Sequence, residues 1–193
     1  NCPWCHRVTL ARGVLGLQNG ITMDVAFPNR TGEDDPAGPN LWEFAPVRKA
    51  SLTGQPLPEC TPETGTGQGL RLAKEIYRRE GSEEQSVPIL YDKIAGRIVN
   101  NESAEIIRML DQHSVHLASL VPDAQTVRLV PESPDLRDTI ATLNERIYVT
   151  INNGAYKAGF SSDQSVYAQA FEAYFDTLAF LEDLLSDGRD FLT

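Results

Sequence analysis

Apolar positions recur with more than one period along this 193-residue chain, and the change of period divides it. Up to about residue 112, short helical and strand patterns alternate. Residues 6–17 carry Val8, Leu10, Val14, Leu15 and Leu17 as a broad apolar side and predict a short helix ended by Asn19-Gly20. Residues 21–27 alternate apolar and polar, which predicts a strand. Residues 28–66 are rich in Gly, Pro, Thr and Asp, a stretch longer than passive loops usually are. A helix over 68–80 follows, with Leu70, Leu72, Ala73, Ile76 and Tyr77 on one side. Residues 87–91 and 97–100 read as strands joined by a turn at 92–96. Asn100-Asn101 then caps a helix over 102–112.

Residues 113–132 read as a connector ending in prolines, and everything beyond is helical. Leu136, Ile140, Leu143, Ile147 and Ile151 recur at spacings of four and three. Ser161 with Gln164 can form a capping box for a last helix, closed by Asp187-Gly188. Its expected core side is Val166, Phe171, Tyr174, Phe175, Leu178, Leu181 and Leu185. The pattern predicts an α/β unit over 1–118, a linker over 119–132 and an all-helical unit over 133–193.

Composition adds exclusions. A hydrophobic fraction of 41% suits a globular chain, and no apolar run approaches the roughly 18 residues that span a bilayer. A net charge of −10 argues against nucleic acid, whose phosphates need compensating cations. Partners of that kind, and membranes, are therefore not expected. The chain opens at Asn1 directly on a cysteine motif and stops at Thr193, so it reads as a fragment cut at both ends. Three cysteines, two of them three apart, point to intracellular redox or metal chemistry rather than a secreted disulfide framework.

Cys2-Pro3-Trp4-Cys5-His6 supports four readings. In the first, Cys2 is a nucleophile at the leading edge of a helix, where free N–H groups and the macrodipole stabilise a thiolate; Arg7 adds positive charge. The second is covalent haem, which shares the Cys-x-x-Cys-His pattern but needs a second axial ligand. The third is zinc, with Cys60 or the pair His113 and His116 completing the ligands. The fourth is a structural cysteine pair.

Further along, Val87-Pro88 opens a strand after a polar loop. It is either a simple strand-starting proline or a cis bond that turns the Val87 backbone outward to pair with an extended peptide. Asn101-Glu102-Ser103 opens a helix whose N-terminus can receive a carboxylate, with the Ser103 hydroxyl helping and Glu102 gripping an ammonium group. Ser and Glu are also common as capping residues.

In order and spacing, Cys2-Pro3-Trp4-Cys5-His6-Arg7, Val87-Pro88-Ile89-Leu90 and residues 99–110 resemble the cysteine-type glutathione transferases. The xi class, the glutathionyl-hydroquinone reductases, is the closer match, and residues 151–160 look particular to it. The resemblance implies an α/β thioredoxin-like domain, its first strand missing, followed by a truncated all-α glutathione-transferase C-terminal domain. It implies glutathione as co-substrate, no metal, a cytoplasmic homodimer when full-length (organellar targeting left open by the missing N-terminus), and small-molecule thiols and aromatic conjugates as partners. The implied reaction takes glutathione from a glutathionyl-hydroquinone. Cys2 attacks the glutathione sulfur, and a second glutathione resolves the mixed disulfide. Val87, Pro88, Glu102 and Ser103 match the glutathione contacts. Trp42 matches a tryptophan that packs on glutathione, although a lone loop tryptophan is also a common packing residue. Tyr156 and Tyr148 would border the hydroquinone or serve as amphipathic-helix aromatics.

Three departures stand out. Cys5 replaces a more usual Ala and is a possible resolving thiol. Val130 stands where a Tyr is common, and residues 51–67 look long. A glutaredoxin-like or omega-like thiol transferase and a non-catalytic transferase-like binding module are the competing functions. Cys5 favours the former, and the intact cysteine motif disfavours the latter.

Overall fold

The computed structural model describes residues 2–44, 60–120 and 127–193. Of the unusually long stretch 51–67, residues 51–59 lie outside the described part, as do 121–126 of the expected linker. The chain divides into two compact units, Asn1–Leu129 and Val130–Thr193.

In the first unit, helix α1 (Pro3–Val14) starts earlier than its apolar pattern predicts, because Cys2 caps it and Pro3 occupies the first turn. It also stops earlier. Gly16 takes φ +66°, the Gly16 N–H bonds Gly13 O at 3.0 Å, and the Leu17 N–H bonds Arg12 O at 3.0 Å. This closing pair satisfies the last carbonyls and ends the helix before Asn19-Gly20 is reached. The Arg12 guanidinium then pins the outgoing chain through Ile21 O at 2.6 Å and Gln18 O at 3.0 Å. Leu15 and Leu17 are fully buried, but Leu10 and Val14, expected on the core side, are half exposed. They lie four apart on a flank turned away from the Val8–Ala11–Leu15 stripe.

Residues 21–27, expected as a strand, form no ladder among the described residues. Phe27 bonds the Glu43 carbonyl, an isolated bridge links Ala26 to Phe44, and Val25 exchanges hydrogen bonds with Thr61. The extended shape is therefore held by single loop contacts. Helix α2 (Ala73–Arg78) is shorter than the pattern over 68–80. Gly67 and Gly69 both adopt φ above +60°, which the helix cannot include, and the Glu75 carboxylate accepts the Leu72 N–H at 2.8 Å to start it.

Strands β1 (Leu90–Asp92) and β2 (Arg97–Asn100) form the expected antiparallel hairpin, pairing Tyr91 with Ile98. Asp92 accepts the Ile94 and Ala95 N–H groups, and Gly96 at φ +68° completes the turn. Helix α3 (Ser103–Gln112) buries Ser103, Ile106 and Leu110 along one stripe. Leu15, Leu17, Ile106 and Leu110 form the core between α1 and α3, each such side chain adding about 1.5–3 kcal/mol on burial. The expected connector begins instead as helix α4 (Ser114–Leu120), because the Ser114 hydroxyl donates to Asp111 O at 2.7 Å and carries the chain into another turn.

The second unit is helical. Ser133 caps α5 (Pro134–Ile147), and a π-helical turn over Tyr148–Asn152 leads into α6 (Asn153–Phe160) and α7 (Gln164–Leu185). The cap of α7 is Asp163, not a box from Ser161 and Gln164. Its carboxylate accepts the Ser165 and Val166 N–H groups, while Ser161 bonds Asp163 instead. The buried stripe of α7 also differs from the expected one. Ala170 and Thr177 are buried and Tyr174, Leu181 and Leu185 partly so, whereas Val166, Phe171, Phe175 and Leu178 are exposed. Two apolar stripes run along this helix, and only one faces α6 and the π-helical turn. Thr177 anchors it, accepting from Arg146 Nε at 3.2 Å and from the Thr150 hydroxyl at 2.9 Å.

Candidate active site

Cys2 holds the N-cap position of α1 with extended backbone, φ −121° and ψ 117°. Its thiol donates to Val87 O at 3.6 Å, and its sulfur accepts the Cys5 N–H at 3.4 Å. A sulfur at a helix start thus receives one of the orphan N–H groups that every helix leaves in its first turn. Both cysteines are free and half-buried. Burial first, then the hydrogen bond to Cys2 and the charge of Cys2, push the Cys5 thiol far above its ordinary range.

The peptide bond Val87-Pro88 is cis, and it directs the Val87 carbonyl to Cys2. Two further contacts bring the start of α3 to the same place. The Asn101 amide donates to the hydroxyl of Ser86, next to Val87, at 3.0 Å. The Arg7 guanidinium donates to Ser103 Oγ at 2.6 and 3.0 Å and lies 4.8 Å over the Trp4 ring. Three contacts far apart in sequence therefore gather Cys2, Val87 and the N-terminus of α3.

Ser103 is buried, and Glu102, the N-cap of α3, is exposed, its N–H bonded to Asn100 Oδ1 at 2.7 Å. The first intrahelical bond of α3 is from the Ile106 N–H to Glu102 O, so the N–H groups before it point out of the helix start toward any anion placed there.

A cavity of about 730 Å³ opens beside Cys2, with Cys5, Trp42, Val87 and Pro88 in its wall. Glu102 and Ser103 lie outside that wall. Ile76, Leu90, Ile106 and Leu110 make an apolar part of the wall. His6, Arg12, Asp24, Glu63 and Lys93 add polar and charged groups to the same wall. Trp42 is buried, with the Arg30 guanidinium 4.4 Å over its ring and its carbonyl accepting from Ala73 at 3.0 Å.

Tyr148 starts the π-helical turn and Tyr156 lies on α6, stacked on Phe160 at 6.0 Å; both tyrosines are exposed in the helical unit. Among the described residues no three His, Cys, Asp or Glu side chains gather as metal ligands, so Cys60, His113 and His116 do not join Cys2 and Cys5. No described helix is long and apolar enough to cross a membrane. The contact that sequence reasoning missed is the Arg7–Ser103 clamp. Arg7 registers from sequence only as nearby charge, and nothing local links it to a serine 96 positions on.

The sequence profile of the glutathione S-transferase N-terminal domain matches residues 1–113. The glutathionyl-hydroquinone reductase PcpF of Sphingobium chlorophenolicum is 33% identical over 196 residues, covering 99% of this chain and 53% of that protein. The crystal structure of glutathione transferase Xi 1 from Trametes versicolor superposes with a TM-score of 0.82 at 35% identity, over 100% of this chain and 60% of that one. The glutathione-bound structure of YqjG, a glutathione transferase homologue from Escherichia coli K-12, gives a TM-score of 0.80 at 33% identity over 100% and 55%. The chain spans about half the length of the curated relatives it matches.

Proposed function

The chain belongs to the glutathione S-transferase family, pairing a thioredoxin-like N-terminal domain with a helical C-terminal region, and from that premise we propose that it reduces glutathionyl-hydroquinones with glutathione. The observation that carries the reading is the Cys2 thiol at the N-cap of α1, bonded to the carbonyl that the cis Val87-Pro88 bond presents. The name of the PcpF relative and the glutathione bound in the YqjG structure support it.

Cys2, as thiolate, attacks the sulfur of the bound conjugate. The sulfur–aryl bond breaks, its electron pair and a proton go to the aromatic carbon, and hydroquinone leaves. Cys2 is left in a mixed disulfide with glutathione, and a second glutathione thiolate attacks the glutathione sulfur of that bond and departs as oxidised glutathione. Val87 and Pro88 hold the peptide part of glutathione by backbone pairing. Glu102 takes its ammonium group, and the helix start at Ser103 takes the carboxylate beside it. Arg7 uses the acceptor side of the Ser103 hydroxyl, which leaves the O–H to donate to that carboxylate. Trp42 supplies an aromatic wall, and Tyr156 and Tyr148 contact the aromatic substrate. The whole protein acts as a cytoplasmic homodimer, with residues 1–118 carrying glutathione, 119–132 linking, and 133–193 carrying part of the aromatic site.

The test follows hydroquinone release from a glutathionylated hydroquinone under excess glutathione. Cys2→Ser is expected to abolish turnover while circular dichroism stays unchanged. Turnover that survives the substitution overturns the assignment. Activity confined to small glutathione mixed disulfides moves the protein to the thiol-transferase reading.

A further inference from the structure

Cys5 is a second thiol in the wall of the same cavity, and the reaction above makes no use of it. It lies in the first turn of α1, with its N–H on the Cys2 sulfur, and both thiols are free. Cys60 is remote in sequence, in a loop held to Val25 through Thr61. We propose that Cys5 resolves the mixed disulfide on Cys2, so that the protein is also a dithiol–disulfide oxidoreductase passing through an internal Cys2–Cys5 disulfide. This rests on the reading of Cys2 as the residue that takes up glutathione.

The exchange balances without any added oxidant. The Cys5 sulfur attacks the Cys2 sulfur, the Cys2–Cys5 bond forms, and the bond from Cys2 to glutathione breaks. Glutathione leaves with the electron pair and takes the proton that Cys5 gives up. Two thiols then reduce the internal disulfide. They are two glutathiones, yielding oxidised glutathione, or one external dithiol, which becomes a disulfide itself.

Timing follows from what holds the Cys5 proton. Burial acts throughout, but the other two causes are the hydrogen bond to Cys2 and its charge. Both disappear once the Cys2 sulfur is bonded to glutathione. Cys5 therefore keeps its proton while Cys2 is the free nucleophile, and two of the causes that hold it are gone when there is a disulfide to attack. The spacing of the two residues within one turn suits such a switch, since Cys-x-x-Cys pairs at helix starts are built for exchange.

The decisive experiment mixes the protein with one equivalent of oxidised glutathione and reads its intact mass under non-reducing conditions, with tandem mass spectrometry to place the bonds. The expected wild-type product is lighter by two hydrogens, carries a Cys2–Cys5 disulfide and releases both glutathiones. Cys5→Ser is expected to stop one step earlier, with one glutathionyl group on Cys2. A wild-type protein that keeps glutathione on Cys2 with Cys5 open to alkylation overturns the inference and leaves the proposed function standing. A disulfide to Cys60 also overturns it. A wild-type protein with neither adduct nor disulfide sinks both readings together. The wild-type result decides alone, whether or not the variant folds.

Discussion

Replacing Arg7 with alanine removes the clamp between the cysteine helix α1 and the start of α3. The guanidinium gives two charge-assisted hydrogen bonds to one buried oxygen, Ser103 Oγ, at 2.6 and 3.0 Å. Because they share an acceptor we count them as a single charged contact, about 1.5–3 kcal/mol. The cation–π contact over Trp4 at 4.8 Å adds about 0.5–1 kcal/mol for a partly exposed site. Freeing a long side chain returns about 1 kcal/mol of rotamer entropy. The net cost is about 1–3 kcal/mol, or about 2–4 °C in Tm for each kcal/mol in a chain of this length. Urea titrations of wild type, Arg7→Ala, Ser103→Ala and the double variant form a cycle that isolates the pair. A coupling of about 1 kcal/mol or more is expected, and Arg7→Lys should restore part of it. Effects that add to within about 0.3–0.5 kcal/mol would refute the reasoning, because the two residues would then be acting separately.

Two further outcomes test each unit by itself. Asp111 is 2% exposed, and its carboxylate accepts from Arg128 at 3.1 Å and from the Leu129 N–H. Asp111→Ala should cost about 2–3 kcal/mol in chemical denaturation, below the about 3–5 of a fully buried pair because Arg128 reaches solvent; a loss under about 0.5 would sink this account. Asp163 caps α7, and hydrogen bonds from the Ser165 hydroxyl and the Ser165 and Val166 N–H groups lower its pKa. A carboxyl lowered in the folded state contributes stability above its unfolded pKa of about 3.9, and loses it as pH falls through the folded value. Asp163→Ala should therefore lower the urea midpoint at neutral pH, with the gap to wild type closing as pH falls below about 4. A gap that persists unchanged in acid would contradict the role of the charge.

Sequence alone carried the local chemistry. Cys2-Pro3-Trp4-Cys5 marks a helix start, because Pro is tolerated where the N–H has no partner anyway. The turn at Asp92–Gly96 and the apolar stripe of α3 are likewise set by neighbours a few residues away, and the structure has them where the pattern predicts; Val87-Pro88, open in the sequence between a strand start and a cis bond, is cis and precedes β1, which begins at Leu90. Choices between equivalent local signals were settled by tertiary packing. Gly16 ends α1 although Asn19-Gly20 looks as strong a stop, because Leu15 and Leu17 must both reach the core against Ile106 and Leu110. α7 has two apolar stripes of similar quality, and only packing on α6 selects the one through Ala170 and Thr177. Residues 21–27 alternate as a strand does, but a ladder needs a partner, and scattered bonds to Glu43, Thr61, Thr64 and Gly65 are what the described chain supplies. The candidate site shows the same division. The candidate thiol Cys2 and the helix start are legible because spacing makes them so. The Arg7–Ser103, Ser86–Asn101 and Cys2–Val87 contacts that bring them together join residues up to 96 positions apart, and a distance of that kind exists only once the chain has folded.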